Sequence, residues 1–102
     1  MADRERRVVW TDAALSALED VLDYIGADSP PSARHVGEQA IAAADSLATL
    51  SERGRVVPEV GDPNVREIFV FRYRLMYELT PTEVRILAFV HGARDFGRLR
   101  EK

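Results

Sequence analysis

Cysteine is absent from this 102-residue chain. That removes disulfide scaffolds, thiolate zinc sites and cysteine nucleophiles together, and it fits a reducing compartment, the cytoplasm by default. Histidine occurs only as His35 and His91; with no thiolate and no matching carboxylate spacing the two make no recognisable ligand set, so neither a metal nor a cofactor is expected. The 6 glycines are scattered and none forms GxxxxGKS/T or GxGxxG, so a phosphate-cradling loop is missing. No serine stands in a GxSxG setting, which leaves a serine nucleophile unsupported. No apolar run approaches the roughly 18–20 residues of a membrane span, and the charged N-terminus lacks the apolar core of a signal peptide. The expectation is a chain that is soluble, neither exported nor anchored.

What is present suits one folded domain over residues 1–102: 46% hydrophobic and 30% charged residues, with no repeat and no low-complexity tract. The net charge of −3 is unevenly divided. Residues 1–52 carry 4 Lys+Arg against 10 Asp+Glu, and residues 53–102 carry 10 against 7. An acidic half beside a basic half suggests one face for a cationic partner and another for an anionic one.

Val8-Val9-Trp10 reads as a short first strand. Thr11 offers an N-cap, and Leu15, Leu18, Leu22 and Ile25 recur at helical spacing, predicting an amphipathic helix of about 14 residues stopped by Gly26. Ser29 before Pro30-Pro31 caps a second helix striped by Val36, Ala40, Ile41, Ala44 and Leu47 and ending between Ser51 and Gly54. The period then changes to two. Val65–Phe71 sets Arg66, Ile68 and Val70 against Glu67, Phe69 and Phe71, and Tyr73–Leu79 sets Tyr73, Leu75, Tyr77 and Leu79 against Arg74, Met76 and Glu78. Arg72-Tyr73 reads as the reversal between them, and Val84–Val90 as a strand apolar enough to be buried on both sides. The order β-α-α-β-β-β defines an α+β fold, with a helical hairpin packed on a small, mostly antiparallel twisted sheet. Its core is expected to join Leu15, Leu18, Leu22, Val36, Ala40 and Leu47 to Ile68, Val70, Leu75, Ile86 and Ala88. Residues 97–102 read as a flexible basic tail.

Polar residues that carry chemistry cluster in the sheet half: Arg55, Glu59, Arg66, Arg74, Tyr77, His91 and Arg94. Arginines on a sheet face can hold phosphate or carboxylate bidentately, and the plainer reading is a solvated face with pairs such as Arg66–Glu67 or Arg74–Glu78. Imidazole is a side chain suited to proton transfer, so His91 could act as general acid or base opposite Glu59, or simply cap a strand end. His35 reads as surface.

The order of elements and their residues resembles the RelE/ParE superfamily of toxins from bacterial type II toxin–antitoxin systems. The resemblance rests on Val9-Trp10-Thr11, Tyr24-Ile25, Ser29-Pro30, Gly54-Arg55, Pro58-Glu59, Val65-Arg66-Glu67, Tyr73-Arg74-Leu75-Met76-Tyr77 and Val90-His91-Gly92-Ala93-Arg94-Asp95-Phe96. It implies a growth-inhibiting toxin held inactive by a cognate antitoxin, whose disordered segment folds on it within a hetero-oligomer. The basic half and exposed aromatics such as Phe69, Phe71 or Tyr73 would suit such a segment. In RelE-like members, which cut mRNA on the ribosome, the corresponding catalytic positions are Glu59, Arg66, Arg74, His91 and Arg94. ParE-like members instead inhibit DNA gyrase without catalysis. The alanine-rich hairpin looks more ParE-like, and an isoelectric point near 5.4 is poor for docking into ribosomal RNA. A remoter expectation is a module that has lost toxicity and only binds.

Overall fold

The computed structural model describes residues 5–92. The element order is β1 (Arg7–Trp10), α1 (Asp12–Asp28), α2 (Pro30–Ser46), β2 (Arg55–Val56), β3 (Val65–Val70), β4 (Tyr73–Leu79) and β5 (Glu83–His91). Arg94 and the expected tail at 97–102 lie outside the described residues.

Thr11 starts α1 and ties it to the sheet. Its Oγ1 accepts from the Ala14 N–H at 3.1 Å and donates to the Ile86 carbonyl at 2.8 Å, satisfying one of the orphan donors of the first turn. Gly26 does not end this helix, which continues for 17 residues to Asp28. A Cβ at Gly26 would meet the Ala33 Cβ at 3.5 Å, an ordinary van der Waals contact, so the space between the helices does not demand glycine there. The stop comes from Pro30, because the residue before a proline is driven out of the helical region. Ser29 takes extended geometry at φ −149°, donates its N–H to the Ile25 carbonyl, and accepts the Ser32 N–H on its hydroxyl. One residue therefore closes α1 and opens α2.

The sheet has five strands in the order β1-β5-β4-β3-β2. β1 runs parallel to β5 and the other neighbours are antiparallel. Two details of register differ from the sequence reading. The reversal between β3 and β4 is Phe71-Arg72, one residue earlier than expected, since Val70 pairs with Tyr73. In β5 a bulge leaves Leu87 unmatched: Tyr77 opposes Ile86 but Met76 opposes Ala88. The bulge turns Phe89 inward where Ala88 was expected. Phe89 is 1% exposed while Ala88 is only half-buried. β5 is also not buried on both faces, because Arg85 is exposed between buried Val84 and Ile86.

The core otherwise follows the expected stripes. Leu18, Ala40 and Leu47 from the helical segment meet Ile68, Val70, Leu75 and Ile86, with Leu22 and Val36 half-buried at its margin. Leu15 does not belong to it. At 41% exposure it lies with Ile41 on the outer side of the hairpin, where the two help line an apolar groove of about 760 Å³ bordered by Glu19, Glu38 and Asp45.

Candidate functional site

The hairpin register determines which polar residues share a face. Phe69 opposes Arg74 and Glu67 opposes Met76, so Arg74, Phe69 and Glu67 lie on the side of the sheet away from the helices. The 57–64 loop brings Glu59 to the same place. It is anchored by Val57, which is fully buried and donates its N–H to the Val65 carbonyl.

Around Arg74 these groups form a connected ion network. The guanidinium donates Nε to Glu67 Oε1 at 2.6 Å and grips both oxygens of Glu59, at 2.8 and 3.0 Å. The second oxygen of Glu67 accepts from Arg55 Nε at 2.6 Å, and the Arg55 guanidinium lies 5.6 Å from the centre of the Phe69 ring. Arg74 and Glu67 are buried, Glu59 is partly covered, and Arg55 is open to solvent. Burying the Arg74–Glu67 pair is tolerable because each carboxylate oxygen has a charged donor and no buried side-chain polar atom among the described residues lacks a partner. The surface pairs Arg66–Glu67 and Arg74–Glu78 do not form; Glu78 faces Arg85 instead, at 3.8 Å.

The other sequence candidates are placed elsewhere. Arg66 opposes Tyr77 and so lies on the helix side, where its guanidinium donates to the Pro63 and Gly54 carbonyls at 2.9 Å. His91 opposes Tyr73 on that side too, its ring edge-on to Tyr73 at 5.6 Å. Glu59 and Arg74 are thus in contact, whereas Arg66 and His91 sit on the opposite face and near opposite ends of the sheet. Tyr77 is fully buried: its hydroxyl donates to the Ser51 carbonyl at 2.8 Å and accepts the Gly54 N–H at 3.0 Å, and burial raises its pKa. Glu67, the hub of the network, was read from the sequence only as half of a surface pair. Counting register from the true reversal would have brought it beside Arg74.

Hydrogen bonding from Arg74 lowers the pKa of Glu59 from 4.5 to about 2. A folded value below the unfolded one means that the stabilisation is complete above pH 4.5 and is lost as the pH falls toward 2. Urea denaturation at pH 5 and again at pH 2.5 should show Glu59 contributing about 2 kcal/mol of acid sensitivity, less than the full linkage value because the side chain is partly wet. Glu59→Gln should flatten that slope; an unchanged slope would exclude the ion pair as its source.

A two-helix hairpin packed on one face of a five-stranded sheet, with a buried arginine–glutamate network on the other face, makes this a small α+β domain. Residues 8–96 match the family model described as ParE toxin of type II toxin-antitoxin system, parDE. The chain belongs to that family, within the RelE/ParE superfamily, and is a toxin of a type II toxin–antitoxin system. It is 38% identical over 89 residues to Toxin RelE2 of Caulobacter vibrioides, covering 86% of this chain and 97% of that one. The fold is similar to a chain of the chromosomal ParDE toxin–antitoxin system from P. aeruginosa, with a TM-score of 0.71 at 18% identity, covering 87% of this chain and 98% of that one. No helix among the described residues is long and apolar enough to cross a membrane.

Proposed function

We propose that this toxin arrests growth by binding DNA gyrase without catalysis, and that a cognate antitoxin neutralises it by direct contact. One observation carries the non-catalytic reading. Arg74 and Glu59, two of the groups an RNA-cutting site would use, hold each other in a bidentate pair. A carboxylate with a pKa near 2 is a weak base at neutral pH, since general bases work best when their pKa lies near the working pH. A guanidinium already gripping two carboxylates is likewise poorly placed to meet developing phosphate charge. The match to a ParE family model supports the gyrase target. For the antitoxin, the apolar groove outside the hairpin offers a surface on which a segment that folds on binding can lay an apolar helix face.

The second reading is a ribosome-dependent mRNA endoribonuclease using Glu59, Arg66, Arg74, His91 and Arg94, favoured by the 38% identity to a protein named Toxin RelE2. Expressing the chain without antitoxin separates the two. Loss of negative supercoiling with intact mRNA is expected; mRNA cut in the ribosomal A site would replace the gyrase reading with the nuclease one. Growth without arrest would reduce the chain to a binding module.

A further inference from the structure

Phe71 occupies a position that the backbone disfavours for its side chain. β3 and β4 are joined by Phe71 and Arg72 alone, and Phe71 has φ +56°, the one positive φ outside glycine among the described residues. A two-residue hairpin with φ > 0 at its first position calls for glycine, and a bulky residue there is strained. The phenyl ring does not offset this by burial. Within the fold the Phe71 ring meets the His35 ring of α2, tilted at 5.3 Å, yet Phe71 stays 55% exposed and Phe69 beside it 54%. Strain retained at an exposed side chain points to a use outside the fold.

The surroundings indicate what that use is. The two rings border a groove of about 390 Å³ whose other wall is α2, including Ala42 and Ala43, and no lining residue is acidic. Arg53 enters this groove with its guanidinium on the Ser46 hydroxyl at 3.1 to 3.2 Å. Arg72 forms part of the turn itself and has no ion-pair partner among the described residues, while Arg55 lies over Phe69. The patch is aromatic and cationic on a chain of net charge −3. Its charge complement is a carboxylate-bearing partner with an apolar side chain to insert between the rings and the alanines. The apolar groove and the overall negative charge favour a protein segment over a nucleic acid, whose affinity is dominated by phosphate neutralisation.

We infer that the Phe69–Phe71 patch, flanked by Arg53, Arg55 and Arg72, is the surface with which this toxin engages an acidic, apolar-anchored protein segment of its target. The inference rests on the gyrase reading and assigns it a contact surface. Arginine and aromatic side chains are the usual anchors of such contacts.

The test uses the full chain and purified DNA gyrase. Phe71→Gly relieves the strained turn, so its melting temperature should hold or rise by up to about 5 °C, while the concentration needed to inhibit supercoiling rises at least tenfold. Arg72→Glu, at an exposed turn position, should weaken inhibition similarly by reversing the charge. Wild-type potency in both variants overturns the assignment and leaves the gyrase reading standing. A Phe71→Gly variant that loses potency but melts more than 5 °C lower also overturns it, by making the ring structural. A Phe71→Gly variant that keeps potency but escapes neutralisation by the co-expressed antitoxin gives the patch to the antitoxin. Binding of wild type to an oligo(dT) strand that is lost in Phe71→Gly gives it to nucleic acid. Wild type that leaves supercoiling unchanged overturns the gyrase reading itself, and this assignment with it.

Discussion

Gly54→Ala should lower the unfolding free energy by about 3 kcal/mol or more, beyond the usual range for a single added methyl group in a packed site. A Cβ at this position would lie 2.5 Å from the Tyr77 hydroxyl oxygen and 2.6 Å from the Glu67 carbonyl oxygen. Neither neighbour is free to withdraw. Tyr77 is fully buried and its hydroxyl is fixed between Ser51 and Gly54 itself, while the Glu67 carbonyl belongs to the backbone of β3 where it pairs with Arg55 of β2. Relief requires β2 to move away from β3, and that movement breaks the Gly54 N–H bond to Tyr77 and draws Arg55 off Glu67. The Arg66 bond to the Gly54 carbonyl would be disturbed as well. A thermal melt should show a fall of about 15 °C, given roughly 4–8 °C per kcal/mol for a domain of this size. Gly61→Ala is the internal comparison. Gly61 has φ +75° but open space around its Cβ position, so only backbone strain of about 1 kcal/mol is expected. Equal effects at the two glycines would show that conformation, not crowding, governs Gly54.

The contrast between these glycines marks the division between what was legible in the sequence and what was not. Local signals were legible. The Thr11 and Ser29 caps and the apolar stripes are read within one or two helical turns, and β3 and β4 show two-residue alternation, whereas β5 reads as apolar throughout and its exposed Arg85 face is missed. β2 is only two residues long and has no period to detect. The bulge at Leu87 is a tertiary event, since it is defined by the partner strand. The reversal was misplaced by one residue for a physical reason: turn chemistry points away from phenylalanine at positive φ, so the true Phe71-Arg72 turn carries no signal. That slip propagated to the site. Arg74 and Glu59 could be named as polar groups of interest, but their contact spans 15 residues and depends on a loop with no regular structure. Glu67 could be placed beside Arg74 only with the register known.

Arg74→Ala carries the other large expected effect, a loss of about 3–4 kcal/mol, because removing one member of a buried ion network leaves its partner charged and under-solvated. The burden falls on Glu67, which is fully buried and keeps only Arg55, itself open to solvent. Glu59 is partly exposed and can recover water, so its share is smaller. Arg74→Lys should restore only part of the stability, since an ammonium cannot grip both Glu59 oxygens while also donating along the Nε direction to Glu67. Replacing the buried pair together, as Arg74→Met with Glu67→Leu, should cost less than Arg74→Ala alone, because no buried charge is then stranded. The pH dependence follows from the same geometry. With Glu59 held to a pKa of about 2, wild type and Arg74→Ala should approach each other in stability as the pH falls from 4.5 toward 2 and Glu59 takes up its proton. Urea melts of the four proteins across that range check the ordering, and an Arg74→Ala protein as stable as wild type at neutral pH would mean the network does not support the fold. In that case lost toxicity in the variant could be assigned to the site directly. With the expected ordering, toxicity must be compared at equal folded concentration before Arg74 is given any part in binding or chemistry.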